Sequence, residues 1–142
     1  MSSRGHTIVV GVDSSESSKA ALRWAARQAR LTGAEVHALR AWAVPNAYGY
    51  VPAVEVDWER EAGRELTRTI ASTLPPAEAG RVHAEVVRGH APEALEQAAR
   101  DADLLVVGSR GRGELSGMLL GSVSQYLVTH VQTPVVVIHA DQ

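Results

Sequence analysis

The stretch of sequence that decides the fold is LLVVGSRGRGELSGMLLGSVS, residues 104–124. It begins with a short apolar run, residues 104–107, whose length and β-branching are typical of a buried strand. The run stops at Gly108, and a loop with four further glycines follows: Gly111, Gly113, Gly117 and Gly121. A helical spacing of side chains then begins at Ser122. The stretch therefore predicts a strand, a glycine-rich loop and the start of a helix.

A strand, a glycine loop and a helix start together form an anion-binding architecture. The N-terminus of a helix presents unpaired N–H groups and a partial positive charge, and glycine lets the backbone approach a ligand closely. Ser109, Ser122 and Ser124 add hydroxyl donors. Arg110 and Arg112 add fixed positive charge, which suits phosphate. We therefore predict that this loop binds a phosphate chain.

Two common phosphate-binding motifs do not fit this loop. A P-loop needs a lysine directly before the hydroxyl residue, whereas Ser122 follows Gly121 and the only lysine of the chain is Lys19. The dinucleotide fingerprint G-x-G-x-x-G follows the first strand of a domain. Here the first strand is followed by the different sequence Gly11-Val12-Asp13-Ser14-Ser15. The loop therefore belongs to another class of phosphate site.

The glycine spacing resembles that of the universal stress protein family. Gly108 and Gly111 are separated by two residues, and nine more precede Gly121-Ser122, as in the family's nucleotide motif G-x2-G-x9-G-[ST]. Blocks on both sides of the motif resemble the family as well, namely residues 10–13 with the serine-rich turn after them, residues 21–25, 89–95, 102–108 and 133–138. The resemblance covers nearly the whole chain, and it implies that the phosphate ligand is an adenine nucleotide.

Composition limits the classes of protein to be considered. A chain of 142 residues has the size of one domain, so we expect a single domain over residues 1–142. A net charge of −2 argues against a dedicated nucleic-acid or membrane-surface protein. There is no cysteine, hence no disulfide and no thiolate site. We find neither a signal peptide nor a membrane-length apolar run, and we expect a soluble cytoplasmic protein.

The order of predicted elements is β-α-β-α-β-α-β-α-β. Strands are predicted at residues 7–12, 35–41, 82–87, 104–107 and 134–139, with a helix between each pair and an irregular loop at 44–56. Pro75-Pro76 is expected to end the second helix. Strict alternation predicts an α/β fold: an open, five-stranded parallel sheet, Rossmann-like, with helices on both faces. The family resemblance implies the strand order 3-2-1-4-5.

Ligands of open α/β sheets bind at the carboxyl ends of the strands. In the order that the resemblance implies, strands 1 and 4 are neighbours, so two distant segments face one ligand. The predicted nucleotide-binding residues are Gly11, Val12, Asp13, Ser14, Ala41, Gly108, Ser109, Arg110, Gly111, Arg112, Gly113, Gly121, Ser122, Val123 and Ser124.

The resemblance also implies roles for these residues. Asp13 accepts hydrogen bonds from the ribose or the adenine edge, although capping the first helix is an alternative role. The backbone of Ala41 meets the adenine amino edge. Residues 108–111 surround the ribose and α-phosphate, and residues 121–124 hold the β- and γ-phosphates. The implied cofactor is ATP, with or without Mg²⁺.

A catalytic set is missing from the sequence. Phosphoryl transfer needs a base or a water-orienting residue beside the γ-phosphate, and none is evident. The histidines, at positions 6, 37, 83, 90, 130 and 139, are scattered with no metal-ligand spacing, so we predict no metal site and no catalytic residue. We expect slow or absent hydrolysis, with the nucleotide acting as a conformational ligand.

The last predicted strand, residues 134–139, is a candidate dimer interface. It is apolar, and in the implied order it lies at an edge of the sheet, where unpaired backbone groups invite pairing. The resemblance implies a homodimer through residues 134–139. Three hypotheses stay open: an ATP-binding, dimeric stress-response regulator with unknown protein partners, a protein-interaction module that binds no ATP, and a slow Mg²⁺-dependent ATPase or phosphotransferase.

Overall fold

The structure, a computed structural model, describes residues 6–44, 56–110 and 120–140. The predicted loop at 44–56 falls almost wholly outside the described residues. Gly111, Arg112 and Gly113 of the predicted site lie outside them too.

Strands and helices alternate along the chain as the sequence predicts, with one addition. In chain order they are β1 (Thr7–Gly11), α1 (Glu16–Thr32), β2 (Glu35–Trp42), α2 (Trp58–Thr73), α3 (Pro76–Ala79), β3 (His83–Arg88), α4 (Ala91–Ala99), β4 (Leu104–Gly108), α5 (Ser122–His130) and β5 (Val135–Ile138). The addition is α3. The two prolines do end α2, but Pro76 also begins a further helical turn, because proline suits the first position of a helix.

All five strands are parallel and form one sheet with the order β3-β2-β1-β4-β5. The predicted fold class and strand order are therefore confirmed. At the centre of the sheet, Gly11 of β1 lies opposite Leu39 of β2, and Val10 lies opposite Val106 of β4. This register brings the carboxyl ends of β1, β2 and β4 to one edge.

Helices cover both faces of the sheet, and each face has its own apolar core. On one face, Val10 and Val106 pack with Leu22 of α1 and Leu66 of α2. On the other face, a second cluster contains Leu105 together with side chains of α4 and α5. Central parallel strands are apolar on both faces because neither face meets water.

The first helix is fixed at both ends by residues that the sequence singles out. Ser15 is its N-cap, and the Ser15 Oγ accepts the Ser18 N–H at 3.2 Å. Gly33 ends the helix in the left-handed conformation, with φ of 78°, and its N–H donates to the Ala29 carbonyl. The N-terminus of α1 is thereby held beside the end of β1.

Within the described residues, no helix combines the length and apolarity needed to cross a membrane.

Candidate functional site

The strands β1, β2 and β4 end at a cleft of about 700 Å³, including its open mouth. Its floor is apolar and is formed by Leu39, Val107 and the Leu95 side chain of α4. Pockets of this size accommodate small-molecule ligands, and an apolar floor suits the face of a flat ring. The cleft therefore lies where an α/β sheet of this order is expected to bind its ligand.

The turn from β1 into α1 forms one wall of the cleft. Asp13 lines it, and the Asp13 Oδ1 accepts the Ser15 N–H at 3.0 Å. The N-cap of α1 is Ser15 and not Asp13, so this bond stabilises the turn before the helix and does not cap its first turn. Ser14 has a φ of 72°, a left-handed conformation that few residues other than glycine adopt. The turn thus brings the Asp13 carboxylate over the start of α1.

Ser14 itself lies beside the cleft and is not among the lining residues. Its hydroxyl lies 3.3 Å from the Thr69 Oγ1 of α2 and accepts the Arg40 Nη1–H at 3.4 Å. The hydroxyl therefore joins the turn to α2 and β2.

A second, adjoining wall begins at Gly108, which lies directly against the first turn of α1. A Cβ at this position would be 2.6 Å from the Ser17 carbonyl carbon and 2.7 Å from the Ser18 nitrogen. The Ser17 hydroxyl also donates to the Arg110 carbonyl. Only a residue without a side chain lets β4 and α1 approach so closely. The two walls are thereby held at a fixed separation.

Two buried serines connect the end of β4 to the start of α5. The Ser109 N–H donates to the Ile138 carbonyl at 2.8 Å, and the Ser124 Oγ donates to the Ser109 carbonyl at 2.9 Å. The Gly121 N–H also donates to the Ser109 carbonyl. The Ser124 hydroxyl is therefore engaged within the protein, so a ligand at this wall meets backbone N–H groups of the first turn of α5.

Three of the helices in the described part of the chain begin at the cleft. Ser15 and Ser18 of α1, Ala91 of α4, and Val123 and Ser124 of α5 all line it. Each N-terminus contributes a partial positive charge, and the effect acts within the first turn. Arg110 lines the cleft as well. The cleft therefore combines an apolar floor with a positive rim, an arrangement that suits an anion attached to an apolar ring.

Comparison with known proteins places this architecture in a family. A profile of the universal stress protein family matches residues 5–139. The chain belongs to the universal stress protein family. Universal stress protein Rv2623 of Mycobacterium tuberculosis is 37% identical over 139 residues, which cover 93% of this chain and 47% of that protein.

Solved structures of other universal stress proteins have the same fold. One, in complex with cAMP, is 27% identical with a TM-score of 0.70, and the match covers 96% of this chain and 98% of that chain. Another, from Archaeoglobus fulgidus in complex with dAMP, is 23% identical with a TM-score of 0.66, covering 94% and 97%. At that identity the second likeness supports the fold alone. Both of these neighbours bind adenine nucleotides.

This universal stress protein chain spans about half the length of the curated relatives it matches. The expectation of a single domain over residues 1–142 stays a prediction.

The structure brings most of the predicted site residues to one cleft. Those that line it are Gly11, Val12, Asp13, Ala41, Gly108, Arg110, Val123 and Ser124. Ser109, Gly121 and Ser122 lie immediately behind or beside the lining, at the end of β4 and the start of α5, and Ser14 lies next to the turn of β1. The division of nucleotide contacts among these residues stays a prediction.

Sequence reasoning missed Arg40, which lines the cleft from β2. Its side chain is only 14% exposed, and its Nη2 lies 3.0 Å from the Glu65 Oε2 of α2. The signal was available, because Arg40 directly precedes Ala41 at the end of a strand whose middle is buried. A charged side chain at such a position is seldom buried without a partner. Arg40 adds a fixed cation to the rim of the cleft.

Proposed function

We propose that this universal stress protein chain binds ATP, with or without Mg²⁺, in the cleft at the carboxyl ends of β1, β2 and β4. The bound nucleotide acts as a conformational ligand in a homodimeric stress-response regulator. One observation carries the proposal: three helices begin at a cleft whose floor is apolar and whose rim includes Arg40 and Arg110. A nucleoside triphosphate has the matching chemistry, an apolar base joined to a polyanion.

The proposed binding mode follows from where the donors lie. The base packs on the floor formed by Leu39, Leu95 and Val107, near the backbone of Ala41. Asp13 accepts hydrogen bonds from the ribose. The phosphates extend toward the first turn of α5, where the N–H groups of residues 122–124 meet them. Ser124 contributes its N–H in this mode, because its hydroxyl already donates within the protein.

The proposal includes slow hydrolysis at most. Among the described residues that line the cleft, Asp13 is the single carboxylate, and one of its oxygens accepts the Ser15 N–H. A phosphoryl-transfer site needs a base or a residue that orients water in line with the γ-phosphate. An Asp13 directed toward the helix start is poorly suited to that task. Nucleotide binding that shifts a population of conformers is the function that these groups support best.

The decisive test is Gly121→Glu, measured by isothermal titration with Mg-ATP and with ATP alone. Gly121 is buried at the start of α5, so a carboxylate there places volume and negative charge at the proposed phosphate position. We expect the wild type to bind in the micromolar range, about −8 kcal/mol. The variant should show no saturable binding.

Two further variants make the test independent of folding. Ser122→Glu adds the same charge at an exposed position in the first helical turn, where a carboxylate stabilises the helix. It should fold and still lose ATP. Gly63→Glu in α2 is the matched control, since a Cβ there meets no atom within 4 Å and lies outside the cleft, and it should bind like the wild type.

The results of these binding experiments distinguish an ATP-binding regulator from a protein-interaction module and from an ATPase. Wild-type ATP affinity in folded Ser122→Glu would refute the phosphate position. A wild type that binds no ATP up to millimolar concentration would favour a protein-interaction module. Steady, Mg²⁺-dependent release of phosphate that is lost in Asp13→Asn would favour the ATPase.

The dimer is proposed through β5, an edge strand with half-buried side chains. The Pro134 and Ile138 carbonyls accept hydrogen bonds from β4, so the alternate residues Val135 and Val137 direct their backbone groups away from the sheet. Val137→Pro removes an outward N–H and leaves those two bonds to β4 in place. Light scattering coupled to size exclusion should give about 30 kDa for the wild type, twice the 15.1 kDa chain, and 15.1 kDa for the variant. A wild-type monomer at micromolar concentration would refute the dimer.

A further inference from the structure

We propose that Glu35, His37 and His83 form a binding site for a first-row divalent cation, with Zn²⁺ as the fitting ion. The three residues lie at the amino ends of β2 and β3, whereas the nucleotide cleft is at the carboxyl ends. One ligand atom from each residue can be chosen so that all lie within 4.8 Å of one another. The proposal does not depend on nucleotide binding.

Strand register explains why these residues meet. His37 of β2 lies directly opposite His83 of β3 in the parallel pair. Glu35 is two residues before His37 on the same strand, and side chains two apart along a strand project from the same face. Two imidazoles and one carboxylate are therefore presented on one patch of the sheet. The sequence analysis considered spacing along the chain alone and predicts no metal site, and the present proposal departs from that prediction because it rests on strand register.

The side chains of the three residues lie close to one another. The His37 Nε2 lies 3.7 Å from one Glu35 oxygen, and the His83 Nε2 lies 3.6 Å from the other. The two rings stack with centroids 4.7 Å apart and planes inclined by 19°. Ligand atoms that share one tetrahedral zinc at bond lengths of 2.0–2.2 Å are about 3.3 Å apart. Binding of one ion therefore requires the two stacked rings to turn and the three ligand atoms to move closer together.

The donor set decides the class of ion. Imidazole nitrogens favour zinc, cobalt, nickel and copper, whereas magnesium and calcium favour oxygen ligands throughout. Two histidines and one carboxylate are a ligand set that zinc accepts, with water in the fourth position. The chain has no cysteine, so no thiolate competes for the ion.

The surroundings favour entry of a cation. The side chains of Glu35 and His83 are more than half exposed, and that of His37 is about a third exposed, so an ion can reach them without unfolding. A bound ion would link the edge strand β3 to β2 and stabilise the folded chain, because the unfolded chain lacks the site.

The test is equilibrium dialysis of metal-free, tag-free protein against Zn²⁺ at neutral pH, with the bound metal quantified by mass spectrometry. We expect one zinc per chain and a rise in the thermal midpoint with zinc concentration. His83→Gln and His37→Gln should each weaken zinc binding at least about tenfold, because each removes a ligand. Both changes are at solvent-accessible positions, so the variants should fold.

His6→Gln is the matched control. The His6 Nδ1 lies 3.7 Å from the Asp103 Oδ1, so this histidine also has a carboxylate beside it at an exposed position, but it belongs to no three-ligand cluster among the described residues. Its removal should leave zinc affinity unchanged. The proposal is overturned if the wild type binds no zinc below about 100 μM. It is also overturned if His83→Gln binds as the wild type does, or if His6→Gln loses as much affinity.

Discussion

The two ends of strand β2 present opposite chemistry. Its carboxyl end carries Arg40 and Ala41 into a cleft at which three of the described helices begin, and their N-termini carry partial positive charge. Its amino end carries Glu35 and His37, whose side chains offer lone pairs. In a parallel sheet with helical crossovers, helices begin near the carboxyl ends of strands and end near their amino ends. Helix dipoles therefore favour anions at one end of the sheet and cations at the other.

The largest effect is expected for Gly108→Ala, a substitution at the cleft and away from the amino end of β2. The new methyl group would overlap the backbone of Ser17 and Ser18, so β4 and α1 must separate. We expect a loss of about 1–3 kcal/mol in the free energy of unfolding, measured by urea denaturation, and weaker ATP binding. Zinc binding by the folded protein should be unchanged.

Gly63→Ala is the control for that experiment. A Cβ at Gly63 meets open space within α2, so alanine should stabilise the chain by about 0.5–1 kcal/mol. If Gly108→Ala and the wild type have the same free energy of unfolding, the close approach of β4 to α1 does not require glycine at this position.

A smaller effect is expected when one positive charge is removed from the cleft. Arg40→Met removes a mostly buried cation from the rim of the cleft and keeps much of the side-chain volume. We expect ATP affinity to fall about tenfold, or 1.4 kcal/mol, with zinc affinity unchanged. Titration calorimetry measures both ligands on the same preparation.

Arg30→Met is the matched control, because Arg30 pairs with Glu78 at 2.8 Å away from the cleft. It should affect neither ligand. Equal ATP affinity of Arg40→Met and Arg30→Met would remove Arg40 from the nucleotide site.

The smallest expected effect concerns the contact between α4 and α5, the two helices on one side of the cleft. The Tyr126 Oη donates to the Glu96 Oε1 at 2.6 Å. This hydrogen bond, followed by desolvation and the negative charges of Glu96 and Glu93, raises the pKa of Tyr126 above its ordinary value of 10.0. Because the pKa is higher in the folded than in the unfolded chain, the stabilisation is complete below pH 10 and is lost as the pH rises through the folded value.

We therefore expect the free energy of unfolding to fall more steeply above pH 10 in the wild type than in Tyr126→Phe. Urea denaturation across that range measures the slope, and tyrosinate absorbance follows the ionisation. Identical slopes for the two proteins would show that the Tyr126–Glu96 bond contributes nothing to stability.

The fold was predictable because its signals are local. Apolar runs such as residues 104–107, the serine cap of α1 and Gly33 at its end all act within a few residues, and each is found where the sequence places it. The helical turn α3 was missed because proline both ends one helix and begins another. The strand order followed from the family resemblance, which the structure confirms.

The candidate site was predictable in part. The glycine motif and Asp13 are visible in the sequence, and the described members of this set lie at or beside one cleft. The hydrogen-bond partners of the Ser124 and Ser14 hydroxyls could not be predicted from the sequence. Ser124 donates to the Ser109 carbonyl and Ser14 lies beside the Thr69 hydroxyl, and both partners are distant along the chain. Arg40 directly precedes the predicted residue Ala41, so its place at the cleft was foreseeable, but its partners Glu65 and Ser14 were not, because they lie on other elements.

The sequence by itself determined the alternation of strands and helices, the glycine loop and the membership of a family, because these depend on patterns of neighbouring residues. Only the tertiary structure decided which side chains share a surface. His37 and His83 are far apart in the chain, and strand register alone makes them neighbours. The same register brings β1, β2 and β4 to a common edge, where the helix N-termini converge, since a parallel sheet aligns the ends of strands that are distant in sequence.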